Sequence, residues 1–155
     1  MQNKITPFFW FDKNMSEILN YYENIFNNSN QENFKIINRN KLAETPSGDV
    51  EIVTVELFER NYTFMTAGPI FKFNEAISLV IDCDGQEEVD YYWNVFTKEG
   101  QESRCGWCKD KYGLSWQIVP KQLQEALSQV DEEKRNYAQA QMMQMKKIVI
   151  KDLIK

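Results

Sequence analysis

The sequence contains no histidine among its 155 residues. Histidine is the residue that most often binds transition metals, and its charge changes near neutral pH. Its absence excludes histidine triads and histidine-based acid–base catalysis. A zinc or iron site would have to form without its commonest ligand.

Positive charge and long apolar runs are also scarce. Lys and Arg number 18 against 23 Asp and Glu, which gives a net charge of −5, and no basic stripe is visible. We therefore expect no nucleic-acid binding, because it depends on clustered positive charge. The apolar runs fall far short of the roughly 18 residues of a membrane-spanning helix, so we expect no membrane partner either.

The first residues of the chain and its cysteines indicate the cellular compartment in which the protein is expected. Residues 1–7 have no long apolar stretch after Lys4, so they do not resemble a secretory signal peptide. We expect a cytoplasmic protein. Cys83, Cys105 and Cys108 would then be reduced thiols.

Two segments, residues 8–26 and 78–96, resemble each other when one is aligned on the other with a shift of 70 residues. Each opens with a short apolar run typical of a buried strand and continues with the apolar spacing of an amphipathic helix. Asn14 and Asp84 are the expected helix N-caps. The same residues recur at six positions: Asp12 and Asp82, Glu17 and Glu87, Tyr21 and Tyr91, Tyr22 and Tyr92, Asn24 and Asn94, Phe26 and Phe96. The repeat predicts two copies of one folding unit.

Extended segments follow each predicted helix. The first half offers residues 34–38, 50–58 and 62–67, with a hairpin turn at residues 59–61. The second half offers residues 103–109 and 114–119, separated by a turn, and one further strand that must be short. The sequence therefore predicts an α+β fold, with a first βαβββ module at residues 1–68 and a second at 69–120. Together with the following residues they form a single domain, 1–155.

Residues 121–155 are predicted to be a helical extension. Acidic residues at 131–133 and Lys146-Lys147 lie at the two ends of one segment, the order that the helix dipole favours. Tyr137, Ala138, Met142 and Met145 form its apolar stripe. This stripe is expected to cover the sheet or a dimer partner, and the alternative is a methionine-lined lid over a ligand.

Four stretches carry recognisable motifs: residues 5–8; Gly68-Pro69 through Ser78; Cys105-Gly106-Trp107 with Lys109-Asp110, Gly113 and residues 115–120; and residues 142–147. They resemble the PhnB-like, or 3-demethylubiquinone-9 3-methyltransferase, family. This family is part of the glyoxalase/bleomycin resistance/extradiol dioxygenase superfamily, also called vicinal oxygen chelate. The resemblance implies tandem βαβββ modules forming a curved mixed sheet around a ligand cavity, with helices outside, and assembly as a homodimer. It implies no particular reaction, because one fold hosts many functions.

The resemblance also places the ligands of metal-using relatives at about Thr6, Met65, Ala76 and Gln117. A hydroxyl, a thioether, a methyl group and an amide are a poor donor set for a divalent cation. No glycine-rich loop of the kind that holds a nucleotide cofactor follows a predicted strand. We therefore expect no bound metal and no other cofactor.

Strand alternation indicates which side chains face the implied cavity. Ile77, Leu79 and Ile81 form an apolar packing face, which leaves Ser78 and Val80 on the other side. In the last strand Leu114, Trp116 and Ile118 pack, and Ser115, Gln117 and Val119 do not. The predicted ligand contacts are Thr6, Phe8, Trp10, Met65, Ser78, Cys105, Trp107 and Gln117.

Each prediction has a structural alternative. Phe8 and Trp10 are equally compatible with core positions, and the Gln117 amide with a bond to neighbouring backbone. Cys105 and Cys108 have the spacing of a redox pair. An extended segment would direct their thiols to opposite faces, which disfavours a disulfide.

Three functions remain open at this point. The first is a metal-free small-molecule binding protein, with or without an enzymatic activity. The second is a metal-dependent lyase or dioxygenase of glyoxalase type. The third is a dimeric interaction module without a functional cavity.

Overall fold

The computed structural model describes residues 3–28 and 30–155. Met1 and Gln2, in the segment inspected for a signal peptide, and Ser29, in the polar stretch after the first predicted helix, lie outside these residues. The chain divides into two compact units, Met1–Lys72 and Phe73–Lys155.

The first unit is a βαβββ module. Its elements are β1 (Phe8–Phe11), α1 (Met15–Phe26), β2 (Phe34–Thr45), β3 (Gly48–Leu57) and β4 (Arg60–Thr66). The strand order is β1-β4-β3-β2, with β1 parallel to β4 and the other neighbours antiparallel. The predicted element order of the first half is confirmed.

Helix α1 packs on one face of this sheet through aromatic residues. Tyr22 is 2% exposed, and its ring lies 6.2 Å from that of Phe11 and 5.6 Å from that of Phe64. Val53 and Val55 of β3 are fully buried. Burial of these side chains is the main favourable contribution to the stability of the module.

The second unit repeats the same arrangement. Its elements are β5 (Ser78–Cys83), α2 (Gln86–Thr97), β6 (Gln101–Glu102), β7 (Trp107–Lys109) and β8 (Ser115–Pro120). The order β5-β8-β7-β6, with β5 parallel to β8, matches that of the first unit. The predicted α+β class with tandem βαβββ modules is therefore confirmed, and the short strand is the two-residue β6.

A buried carboxylate organises the turn before β8. Asp110 is 2% exposed, and its Oδ1 accepts hydrogen bonds from the backbone N–H groups of Tyr112 and Leu114 at 2.8 and 3.2 Å. Its Oδ2 accepts from Nε1 of Trp116 at 2.9 Å. The Trp116 ring stacks on Phe96 of α2 at 4.6 Å. Asp110 thus joins the turn, the strand and the helix packing.

The C-terminal segment forms α3 (Lys121–Ser128), α4 (Glu132–Gln144) and a 3-10 turn at Ile150–Leu153. Its core consists of Leu123, Ala138, Ile148 and Leu153, with Met142 and Met145 packed beside it. Tyr137, the other member of the predicted stripe, is half-buried. In the described part of the chain, no helix combines the length and the apolar character needed to cross a membrane.

The amide of Gln86, at the start of α2, holds the segment after α4. It donates to the carbonyl of Ile148 at 3.0 Å and accepts from the N–H of Ile150 at 2.8 Å. The N–H of Gly106 donates to the carbonyl of Lys146 at 2.8 Å. These bonds fix the C-terminal segment to the second unit.

Four local predictions were wrong. The hairpin turn between β3 and β4 is Phe58-Glu59 rather than residues 59–61, because Leu57 pairs with Arg60 across a two-residue loop. Both loop residues have positive φ, 48° and 63°, as the twist of such hairpins requires. Strand β7 begins at Trp107 rather than at residue 103, because a tight turn with positive φ precedes it. Helix α4 ends at Gln144, so Lys146-Lys147 lie beyond it.

The fourth concerns the N-cap of the second helix, whereas the predicted N-cap position of the first helix is confirmed. Asn14 occupies the N-cap of α1 but has φ 65° and its side chain makes no capping bond. The N-cap of α2 is Gly85 with φ 97°, not Asp84. The Asp84 N–H instead donates to the carboxylate of Glu88 at 2.9 Å. Glycine reaches such φ values without steric cost, which explains its place at this cap.

Candidate functional site

The second sheet has one face packed under α2 and one face that α2 does not cover. Ile81, Cys108, Trp116 and Ile118 are buried on the packed side. The alternation predicted for β5 and β8 is present, with Leu114 buried as well. Ile77 departs from it: it precedes β5 and is 70% exposed. The uncovered face of this sheet carries Ser78, Val80, Ser115, Gln117, Val119, Trp107 and Lys109.

Ser78 and Gln117 form a hydrogen-bonded pair on this face. Nε2 of Gln117 donates to Oγ of Ser78 at 2.9 Å. The expected alternative, a bond from the amide to neighbouring backbone, is therefore not what is formed. Within residues 3–28 and 30–155, no group donates to Gln117 Oε1 and no acceptor takes the Ser78 hydroxyl hydrogen. The pair consequently offers one acceptor and one donor side by side.

Apolar and small side chains surround this pair. Val80, which pairs with Gln117 in the β5–β8 register, is 52% exposed. Trp107 lies opposite Gln117 on β7 and is half-buried. The result is a mostly uncharged surface with two hydrogen-bonding groups in its middle.

A small cavity adjoins the β7 end of this face. It measures about 90 Å³ and is lined by Trp107, Ser115 and the ion pair of Lys109 with Glu75, together with Gln101, Glu102, Ser103 and Cys108. Nζ of Lys109 lies 2.5 Å from Oε1 of Glu75. The hydrogen bond from Lys109 lowers the pKa of the Glu75 carboxyl below its ordinary value. The charges at this rim are thus already neutralised by each other.

Cys105 was predicted to lie on a strand with Trp107, and this prediction is wrong. It lies in the turn before β7 with φ 57°, and its N–H donates to the carbonyl of Met145 at 2.8 Å. Cys108 lies on β7 and is 1% exposed, and burial raises the pKa of its thiol to about 12. A redox pair needs a stabilised thiolate, whereas Cys108 holds its proton. Both cysteines are free thiols.

In the first unit, Phe8, Trp10 and Met65 share the sheet face opposite to α1. Trp10 pairs with Met65 in the β1–β4 register. The indole N–H of Trp10 donates to the carbonyl of Gly68 at 2.8 Å, and its ring meets the edge of Phe71 at 4.9 Å. Trp10 is therefore already hydrogen-bonded. Phe8 is 54% exposed rather than a core residue.

Thr6 lies outside the strands. It is exposed and precedes β1 by two residues. The structure brings Ser78, Trp107 and Gln117 onto one face, and Phe8, Trp10 and Met65 onto another. Thr6 precedes the first strand, and Cys105 lies in the turn before β7.

The donor atoms at the four superfamily metal positions do not fit a divalent cation. Ala76 offers no side-chain donor atom, Met65 offers only a thioether, and the only oxygen atoms are those of the Thr6 hydroxyl and the Gln117 amide. Hard cations take carboxylate and carbonyl oxygens, and zinc or iron takes imidazole or thiolate. The described residues contain no group of three or more His, Cys, Asp or Glu arranged to hold a metal ion.

Sequence reasoning missed two features of this site. Ser115 was placed on the Gln117 face but was not selected as a contact, although it is 1% exposed and lines the cavity. No pattern in the sequence indicated the Glu75–Lys109 ion pair. Glu75 lies in an irregular segment, and apolar periodicity does not predict the conformation of such segments.

Comparison with known proteins places this geometry in context. The family model described as 3-demethylubiquinone-9 3-methyltransferase matches residues 3–119. No curated protein matches the chain.

Several solved structures have a similar fold. A Bacillus cereus protein, described as a 3-demethylubiquinone-9 3-methyltransferase or PhnB protein, has a TM-score of 0.63 and 24% identity over 76% of this chain and 99% of its own. The protein PA1353 of Pseudomonas aeruginosa has a TM-score of 0.57 and 13% identity over 77% and 98%. The fosfomycin resistance protein FosX of Listeria monocytogenes, solved with Mn(II) and sulfate, has a TM-score of 0.57 and 11% identity over 83% and 99%. At these identities the likeness concerns the fold alone.

Proposed function

This chain belongs to the 3-demethylubiquinone-9 3-methyltransferase family, and we propose that it is a PhnB-like, metal-free small-molecule binding protein. The observation that carries the proposal is the Ser78–Gln117 hydrogen bond on the face of the second sheet that α2 leaves uncovered. A polar pair among apolar neighbours is the usual composition of a ligand site.

The chemistry of the pair selects a class of ligand. Oε1 of Gln117 accepts a hydrogen bond, while the Ser78 hydroxyl donates one. A neutral amide-like edge, with an N–H beside a C=O, satisfies both. An ionised carboxylate offers no donor to Oε1, and Lys109, a cation on the same sheet face, is paired with Glu75. We therefore propose a neutral, largely apolar ligand with adjacent donor and acceptor atoms.

The family description names a methyl transfer, but the cofactor of such a reaction finds little support in this chain. A bound methyl donor would supply an activated methyl group. The strand-to-helix connections that could receive its nucleotide portion contain no glycine after β1 and only Gly85 after β5. Nucleotide loops of that kind need several glycines for close approach of the backbone. The proposed function is accordingly binding, with no methyl transfer assigned.

A glyoxalase-type lyase or dioxygenase is the weaker alternative. It needs a cation at positions occupied here by Thr6, Met65, Ala76 and Gln117, whose side chains form a poor donor set.

Two further properties are part of the proposal: assembly as a homodimer and residence in the cytoplasm. A concentration-independent monomer in sedimentation velocity would remove the first.

Titration of the full chain with benzamide, followed by amide chemical shifts, tests the site. Benzamide carries the proposed donor–acceptor edge on an apolar ring, whereas methyl benzoate lacks the donor. We expect saturable shifts for residues of β5 and β8, and binding of methyl benzoate at least about tenfold weaker, equivalent to about 1.4 kcal/mol. Gln117→Leu should abolish the preference. Gln124→Leu, an exposed position on α3, should leave it unchanged. Equal binding of both probes by the unaltered chain would contradict the proposal.

A further inference from the structure

The C-terminal extension contains a second cavity, separate from the sheet face. It measures about 290 Å³ and lies between α3, the first turn of α4 and the C-terminal residues. Sites for drug-sized ligands usually begin at roughly 300 Å³, so a cavity at this lower limit suits a ligand no larger than a single substituted aromatic ring. The family model ends at residue 119, and the cavity is formed entirely by residues 122–155.

The walls of this cavity are apolar on one side and amide-bearing on the other. Ala126, Ile150, Leu153 and Ile154 supply the apolar surface. Gln122 and Gln129 supply amides, with Nε2 of Gln129 donating to the carbonyl of Ala126 at 2.7 Å.

The charges at the rim largely offset one another. Lys134 and Lys155 are cationic and Glu125 is anionic. Lys155 is already paired with Glu133. The lining therefore favours neither an anion nor a cation.

One atom in this lining lacks a partner. Oε1 of Gln122 is buried and receives no hydrogen bond from any residue that the structure describes. A buried acceptor without a donor is unfavourable, and such groups are rare in folded proteins. Gln122 lines the cavity, and the last side-chain torsion of glutamine is soft, so this oxygen can reorient to meet a donor there.

We propose that this cavity binds a small neutral apolar molecule bearing a hydroxyl or N–H donor. The donor satisfies Oε1 of Gln122, and the apolar body packs on Ile150 and Leu153. Water is the competing occupant, because it can satisfy the oxygen but leaves the apolar wall uncovered.

Titration with 4-methylphenol and with toluene, monitored by amide chemical shifts, tests this site independently of the sheet. We expect 4-methylphenol to shift residues 122–129 and 150–154 saturably, with toluene binding at least tenfold more weakly. Gln122→Leu should make the two probes bind with equal affinity. Gln124→Leu, at an exposed position two residues further along the same helix, should preserve the difference in affinity. The proposal is overturned by absence of saturable shifts in the unaltered chain, which would leave water as the occupant, or by equal binding of the two probes. Benzamide shifts on β5 and β8 do not depend on this result, so failure here and failure of the sheet site are distinguishable.

Discussion

Replacement of Asp110 tests whether one buried carboxylate holds the second module together. Its oxygens accept hydrogen bonds from Tyr112, Leu114 and Trp116, and the residue is 2% exposed. Hydrogen bonds to a charged acceptor contribute about 1.5–3 kcal/mol each, and removal of a buried partner costs about 1–3 kcal/mol for the donor left behind. The desolvation cost of the carboxylate offsets part of this. We expect Asp110→Ala to lower the free energy of unfolding by about 3–5 kcal/mol.

Asp110→Asn distinguishes the contributions of the two carboxylate oxygens. Oδ1 remains an acceptor for the two backbone N–H groups, but an amide NH₂ then faces the indole N–H of Trp116. The expected loss is about 1–3 kcal/mol, smaller than for alanine. Asp82→Asn is the matched control, since Asp82 is exposed on β5, and it should change stability by less than about 0.5 kcal/mol.

Equilibrium urea unfolding followed by tryptophan fluorescence measures these differences. Trp93, Trp107 and Trp116 lie in the second unit, so the signal reports mainly on it. An Asp110→Ala loss below about 1 kcal/mol, or an Asn variant as stable as the unaltered chain, would refute the reasoning.

Four further predictions follow from local features of the structure. Burial raises the pKa of the Cys83 and Cys108 thiols to about 12 each, so at pH 8 only Cys105 should react with a thiol reagent in the folded chain, and one equivalent should be consumed. The unfolded chain releases these protons from about pH 9 while the folded chain retains them, so stability should fall as pH rises from 9 toward 12. Gly100→Ala places a Cβ 1.9 Å from a β7 carbonyl oxygen and should lower stability by at least about 2 kcal/mol in urea unfolding. Glu59→Gly relieves a positive φ of 63° in a two-residue hairpin and should raise stability by about 0.5–1 kcal/mol.

Each of these has a clear contrary outcome, and for the pH dependence it is a stability that does not fall between pH 9 and pH 12. Two or three fast-reacting thiols would contradict the burial of Cys83 and Cys108. A Gly100→Ala chain with unchanged stability would contradict the close approach of β7. Loss of stability in Glu59→Gly would show that the glutamate adopts its turn conformation without strain.

The sequence alone was sufficient for the repeated architecture. Strands and helices differ in apolar period, and the two segments carrying Tyr21-Tyr22 and Tyr91-Tyr92 share both periods, so the βαβββ order could be predicted twice. The same alternation placed Ser78 and Gln117 on one face, because side chains of a strand alternate strictly.

Features that depend on single backbone angles could not be predicted. Cys105 and Phe58 adopt positive φ, although glycine or asparagine is the usual residue at such positions. The turn at Cys105 was therefore predicted to be a strand, and the turn at Phe58 was predicted at the wrong residues. The bonds of Gln86 to Ile148 and Ile150 join residues more than 60 positions apart, and no local pattern reports them. The Ser78–Gln117 bond is likewise a product of strand register, which the tertiary fold sets.

Native mass spectrometry of the purified full chain, after incubation with a small-molecule extract of its expression host, tests the central claim most directly. The account predicts an added neutral organic mass on the unaltered chain, retained in Gln124→Leu and absent from Gln117→Leu. An unaltered chain that acquires no mass, or a Gln117→Leu chain that retains it fully, would contradict the assignment of ligand binding to the Ser78–Gln117 pair.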